Sequence, residues 1–178
     1  MSRRELLALL GNAAIVWPIG AGAQQKAMPV VGILISFSPP PNRTGGPVSQ
    51  GLSDTGYIAG QNVVFEPRWA ENHYDRLPAL AADLVSRNVD VIVTIGGTPA
   101  ALAAKNATST IPIVFTSVSN PVGAGLVQSL ARPGGNVTGF SNIAAGLVPK
   151  EIKLICELVP QASRIALLVN PNNATVDP

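Results

Sequence analysis

Val30-Val31-Gly32-Ile33-Leu34-Ile35 is an apolar run with no polar residue in it. A strand with one wet face alternates apolar and polar residues. An unbroken run therefore marks a strand covered on both faces, as in a parallel sheet. Asp90 to Ile95 (Asp-Val-Ile-Val-Thr-Ile) is again strand-like, and Ile111 to Phe115 is the next strand, with Pro112 near its start. Asn62 to Trp69 opens with Val63-Val64-Phe65 and then alternates, as an edge strand does. Asn136 to Phe140 and Arg164 to Val169 predict two more short strands. Helical spacing fills the gaps. Asp75 to Arg87 carries Leu77, Leu80, Ala81, Leu84 and Val85 on one face, and Thr98 to Asn106 is alanine-rich. Pro121 to Leu130 reads as a helix stopped by Arg132-Pro133-Gly134-Gly135. Gly146 to Val159 reads as another, with Val148, Ile152, Ile155 and Val159 on one face. Strands alternating with helices are repeated βαβ units, so the fold class is α/β, a doubly wound parallel sheet.

The first crossover breaks the rhythm. Ser36-Phe37-Ser38-Pro39-Pro40-Pro41-Asn42-Arg43-Thr44-Gly45-Gly46-Pro47 cannot be a helix interior, because proline lacks the amide donor and glycine is entropically costly there. Only Val48 to Thr55 remains, about two turns, where a parallel crossover ordinarily carries more.

Composition narrows the function. The chain has 178 residues with 12% charged, and twelve Lys and Arg against ten Asp and Glu give a net +2 with no basic stripe. A nucleic-acid binder that works by charge is excluded, and 4% aromatics are too few for a base-stacking platform. One cysteine and one histidine, Cys156 and His73, leave no disulfide framework and no Cys- or His-rich metal site. Cys156 lies in a helical pattern beside Ile155, which predicts a buried or half-buried structural thiol. Asp54, Glu66, Glu71, Asp75, Asp83, Asp90, Glu151, Glu157 and Asp177 are scattered, Asp75 reading as a helix cap and Asp83 as part of a solvated face. Ser36, Ser117 and Ser141 fall at strand ends, but without a histidine in the pattern no triad can be built.

Residues 1–23 read as an address. A basic start with Arg3-Arg4, an apolar stretch from Leu6 to Ile19 and the small-residue site Ala21-Gly22-Ala23 are the three parts of an export signal, here of twin-arginine type. The stretch is shorter than the roughly 20 residues a membrane-spanning helix needs. Cleavage near Ala23 would deliver the chain to the periplasm with ten basic and nine acidic residues, so net charge steers nothing.

In an open parallel sheet, ligands bind beyond the carboxyl ends of the strands, where strand order reverses. Two loops there share a design. Gly96-Gly97-Thr98-Pro99 follows the third strand and Ser117-Val118-Ser119-Asn120-Pro121 the fourth. Thr98 and Asn120 read as caps with proline at the first helical position, and Gly96 and Gly97 let backbone approach a ligand closely. Free amides at a helix start attract an anion, by about 0.3–2 kcal/mol, and a carboxylate suits them. No Gly-x-Gly-x-x-Gly and no phosphate-binding lysine loop follows the first strand, so nucleotide sites are unsupported.

Several stretches carry a resemblance. They are Arg3-Arg4-Glu5 through Ala23-Gln24-Gln25, Met28-Pro29-Val30-Val31-Gly32, Gly56-Tyr57-Ile58-Ala59-Gly60-Gln61-Asn62 and Arg68-Trp69-Ala70-Glu71. Asp75-Arg76-Leu77-Pro78, Gly96-Gly97-Thr98-Pro99-Ala100, Asn120-Pro121-Val122, Arg132-Pro133-Gly134-Gly135-Asn136 and Leu168-Val169-Asn170-Pro171 continue it. In this order the chain resembles the ABC-transporter substrate-binding proteins related to tryptophan and tyrosine uptake. The resemblance implies a type I periplasmic binding protein with two lobes of flavodoxin-like strand order. It implies delivery of a small solute, such as an amino acid or another carboxylate, to an inner-membrane permease and its ATPase, with no cofactor, metal or catalysis. Ser36, Gly97, Thr98, Ser117 and Asn120 would be the ligand contacts of the first lobe. Asn120 stands where many relatives have Asp, and the stretch from Ser38 to Pro47 replaces their first helix. On this pattern residues 24–143 form a first lobe, and residues 144–178 supply a crossover helix and the first strand of a second lobe that is largely missing. A decayed, non-functional member of the family and an exported α/β enzyme or sensor domain are the alternatives.

Overall fold

The computed structural model describes residues 28–40, 46–142, 147–166 and 168. The export signal therefore lies outside the described residues. Five strands form one parallel sheet: β1 (Val30–Ile35), β2 (Val64–Trp69), β3 (Val91–Ile95), β4 (Ile113–Val118) and β5 (Val137–Ser141). Their order is β2-β1-β3-β4-β5, with Ile35 opposite both Trp69 and Ile95. That is the flavodoxin-like order expected of a doubly wound lobe, with the switch point between β1 and β3. β2 is an edge strand, as its alternation predicts.

Helix α1 (Pro47–Asp54) joins β1 to β2, α2 (Leu77–Ser86) joins β2 to β3, and α3 (Thr98–Ala107) joins β3 to β4. Crossovers of one hand that step in the same direction along a sheet fall on the same face. α2, α3 and the β4–β5 connection all step toward β5, and together they bury Leu34, Leu84, Ile92, Ala101, Ile113 and Leu126 in one large cluster. Only α1 steps the other way. It is two turns long and buries none of its own residues. Beneath it lies a small cluster of Val31, Ile33, Ile35, Val63 and Val93. The damaged crossover of the sequence is thus a thinly covered sheet face.

Three expectations are corrected. Residues 121–130 form turns instead of a helix. Asn120 Oδ1 accepts the Gly123 amide at 2.8 Å, Gly125 takes φ +67°, and Lys105 Nζ donates to the carbonyls of Gly125 and Leu126. Acceptors a helix would use are taken by a lysine from α3, and two glycines already weaken it. Second, residues 162–166 and 168 form no strand, since a strand persists only when its backbone groups find a ladder partner. Leu167 and Val169 of that expected strand lie outside the described residues. Third, Cys156 is exposed. It sits on α4 (Val148–Leu158), which buries none of its residues, so nothing among the described residues covers the thiol. Among the described residues no helix is long and apolar enough to cross a membrane.

Candidate functional site

The carboxyl edge of the sheet concentrates unusual backbone. Glu71 and Asn72 after β2, Gly96 and Gly97 after β3, and Ser117 near the end of β4 all have positive φ. Residues other than glycine and asparagine enter that region at a cost, so three loops of this kind on one edge mark a shaped surface. The β1 and β2 loops are tied together there. Ala70 N–H donates to the Ile35 carbonyl and Asn72 N–H to the Ser36 carbonyl, each at 2.8 Å. Ser36 N–H in turn donates to the Ile95 carbonyl at 3.0 Å, fastening the β1 end to β3.

Ser36 and Gly96 meet at the switch point. A Cβ on Gly96 would lie 2.6 Å from Ser36 Cβ, closer than real atoms approach, and the φ of +102° disfavours a side chain as well. Ser36 is only 3% exposed, and its Oγ finds no hydrogen-bond partner among the described residues. Thr94 Oγ1, on the strand register beside Leu34, is buried and likewise without a partner. A buried hydroxyl left unpaired is costly, and in native proteins it calls for a water or a ligand.

Helix α3 starts at this point, but one residue differently from the sequence reading. Gly97, at φ +89°, is the N-cap, while Thr98 is the first helical residue and Pro99 the second. Thr98 is 1% exposed, so its side chain is part of the core below the edge and only its backbone faces the helix start. Ser117 is exposed and lies one strand over, inside β4, where the pairing with β5 shifts register between Phe115 and Val118. Asn120 is exposed too, and its side-chain carbonyl serves its own turn through Gly123. Ser36, Gly97 and Thr98 therefore converge at the β1–β3 switch point, and Ser117 and Asn120 flank it on the β4 side. Ser141 closes β5 opposite Val118.

Asp75 caps nothing through its side chain; it lies within the 3-10 turn Tyr74–Arg76 that precedes α2. Asp83 is less solitary than a solvated face suggests. Its Oδ2 accepts from Arg68 Nε at 2.6 Å and from Arg87 Nε at 3.0 Å, and Arg68 also reaches Glu66 Oε2 at 3.1 Å. Burial pulls the Arg68 guanidinium pKa down, yet the hydrogen bonds to Asp83 and Glu66 outweigh it and the net shift is upward. This cluster fastens edge strand β2 to α2, away from the switch point. A cavity of about 400 Å³ lined by Lys105, Gln128, Gly134 and Asn136 opens beside the start of β5, on the opposite edge of the sheet. It does not include any of the residues read as ligand contacts.

Sequence reasoning missed the β2 contribution to this edge: Trp69, Glu71 and Asn72. The signal was available, since Trp69-Ala70-Glu71-Asn72 follows a strand directly and asparagine is a residue that tolerates the left-handed turn.

An open parallel sheet of order 2-1-3-4-5 with a shaped, hydroxyl-bearing carboxyl edge is a flavodoxin-like doubly wound lobe with its ligand edge at the switch point. The profile of the ABC transporter substrate binding proteins matches residues 36–178, and the chain belongs to that family. It is 41% identical over 119 residues to a tyrosine-binding protein of Clostridioides difficile, covering 67% of this chain and 34% of that one. A conserved domain protein of Vibrio cholerae superimposes with a TM-score of 0.71 at 35% identity, over 83% of this chain and 49% of the other. The ABC domain from Streptococcus pneumoniae solved in complex with L-Trp superimposes with a TM-score of 0.55 at 30% identity, over 64% of this chain and 38% of that one. The chain thus spans between a third and a half of the length of these relatives.

Proposed function

We propose that the chain is a solute-binding component of an ABC importer that holds an amino acid or another small carboxylate at the carboxyl edge of its sheet, without catalysing a reaction on it. The observation that carries this reading is the switch point itself. There a glycine-capped helix start, the unpartnered Ser36 hydroxyl and the tied β1 and β2 loops converge. Amides at a helix start favour an anion, and a carboxylate accepting from them and from Ser36 would satisfy a hydroxyl that now has no partner. The named ligands of two relatives, tyrosine and L-Trp, are amino acids and support the same class. Ser117 and Asn120 would extend the contact toward β4, and residues 24–143 would act as one lobe with residues 144–178 leading into a second. The export signal at residues 1–23 puts this work in the periplasm, with cleavage near Ala23. Handover to a permease and its ATPase in the inner membrane follows from membership of such a system.

Isothermal titration of the full chain with single L-amino acids and short carboxylates tests the reading. Saturable heat is expected with at least one of them, weakened by Ser36→Ala or Gly96→Ala. Absence of heat with every carboxylate overturns it.

A further inference from the structure

The cavity beside the start of β5 takes no part in the solute site, yet its walls share one chemistry. Its volume of about 400 Å³ lies within the range of small-ligand pockets. Its walls are Lys105 in the last turn of α3, the turn at residues 125–128 and the loop at residues 133–137. Hydrogen bonds fix those walls. Gln128 N–H donates to the Pro133 carbonyl at 2.8 Å, and Asn136 Nδ2 donates to the carbonyls of Ile111 at 2.7 Å and Thr108 at 3.2 Å. Gly134 and Gly135 turn the chain at φ +70° and +66°. A Cβ on Gly134 would lie 2.9 Å from Gln128 Cδ, so the missing side chain is what lets the Gln128 amide lie there.

The cavity is rich in donors. Lys105 gives two of its three ammonium hydrogens to the carbonyls of Gly125 and Leu126 and keeps one. Among the described residues it forms no ion pair; the paired cations are Arg68, Arg76, Arg87 and Lys153. The backbone amides of Gly134 and Gly135 and the side-chain amide of Gln128 also donate to nothing among the described residues. Arg132, exposed just before the loop, adds a second cation with no carboxylate partner among them. An anion with several oxygens matches such a wall. Lysine meets phosphate as a point charge, and a phosphoryl group offers three acceptor oxygens in different directions. Phosphate alone would leave much of the cavity unfilled. Asn136 Oδ1, which accepts from nothing among the described residues, suits a hydroxyl beside it.

We infer that this cavity is a second binding site, taking the phosphoryl group of a small hydroxylated phosphate ester on Lys105, the Gly134 and Gly135 amides and Gln128. It stands apart from the solute site and does not depend on it.

Isothermal titration of the full chain with glycerol 3-phosphate and with inorganic phosphate tests the inference, at constant ionic strength and at about pH 7.5, where phosphate is mostly dianionic. Saturable binding of the ester is expected, with inorganic phosphate weaker and competing for the same site. Gln128→Glu changes an exposed residue and leaves the Lys105 bonds alone. By adding an anion to the cavity it should weaken both ligands about tenfold, and Gln128→Lys should strengthen both. Ser36→Ala should leave both unchanged. If neither ligand binds, or if Gln128→Glu binds as tightly as the unaltered chain, the site fails. Loss of binding in Ser36→Ala would place the phosphate at the switch point and also overturn it. Equal affinity for the two ligands would overturn the assignment of an ester.

Discussion

Among the described residues, seventeen buried ones join in one cluster on the α2–α3 side of the sheet, and five do on the α1 side. The same strands furnish both faces, so the difference comes from the connections. α2, α3 and the β4–β5 segment lie over one face, whereas among the described residues the other carries the eight-residue α1, which buries none of its own. Phe37, Trp69 and Val48 on that thin side stay partly open for this reason. Stability thus resides on one face, and the other carries surface that folding leaves uncovered.

Truncating matched residues on the two faces would break this contrast most directly. Leu34 is fully buried against α2 and α3. Leu34→Ala is expected to cost about 2–5 kcal/mol, from lost transfer energy and a cavity the packed helices cannot close. Val48→Ala on α1 is expected to cost less than about 1 kcal/mol, since that helix buries none of its residues. Urea unfolding midpoints measure both. Comparable losses would mean that α1 holds the fold as firmly as α2 and α3 do.

Next in size is the switch point. Gly96→Ala must place a Cβ against Ser36 while holding φ at +102°, and a cost of about 1–3 kcal/mol is expected. In a Ser36→Gly background the steric share disappears and only the backbone share remains. A double-mutant cycle should therefore give a coupling between the two positions. Purely additive losses would show that Gly96 is needed for its dihedral alone.

The five sheet strands and the two packed helices α2 and α3 were legible in the sequence because each is a local pattern of about five to ten residues. An unbroken apolar run, a helical stripe and a proline at a helix start name the element wherever it sits. Residues 121–130 were not legible, because what unmakes their helix is Lys105, far off in sequence and brought near only by the packing of α3. Of the strand expected at residues 164–169, the described residues 164–166 and 168 form none for a related reason: the apolar pattern is real, but pairing requires a neighbour that local sequence does not reveal. Cys156 was expected to be buried from its place beside Ile155 in a helical pattern, yet such a pattern says which face wants covering and not whether anything covers it. For the site, the glycine pair and Ser36 stood out as turn chemistry. The Phe37–Trp69 contact joins residues 32 positions apart and emerged only with the parallel pairing of β1 and β2.

Ser36 separates binding from folding. Its hydroxyl is buried without a partner, so Ser36→Ala removes a desolvated group and loses no hydrogen bond within the lobe. Thermal unfolding is expected to show stability unchanged or raised by up to about 1 kcal/mol, while calorimetry shows weaker carboxylate binding. A variant that lost stability instead would assign the hydroxyl to the core.

The smallest effect concerns the fastening of β2 to α2, and it depends on pH. The Asp83 carboxyl is held below the ordinary aspartate range, first by the hydrogen bond from Arg68 and then by that from Arg87, with their charges adding to it. A carboxylate whose folded pKa is depressed stabilises the fold fully above its unfolded value, near 3.9, and stops doing so as the pH falls through the lower folded value. The chain and its Asp83→Asn variant should therefore differ in unfolding midpoint at neutral pH and converge in acid. Because the cluster is partly exposed, the neutral-pH difference should be modest and should shrink in high salt. Convergence without salt sensitivity would mean that the short Arg68–Asp83 hydrogen bond, and not the charge around it, ties the edge strand down. A difference that persisted into strong acid would remove Asp83 from that role and leave Arg68 held by Glu66.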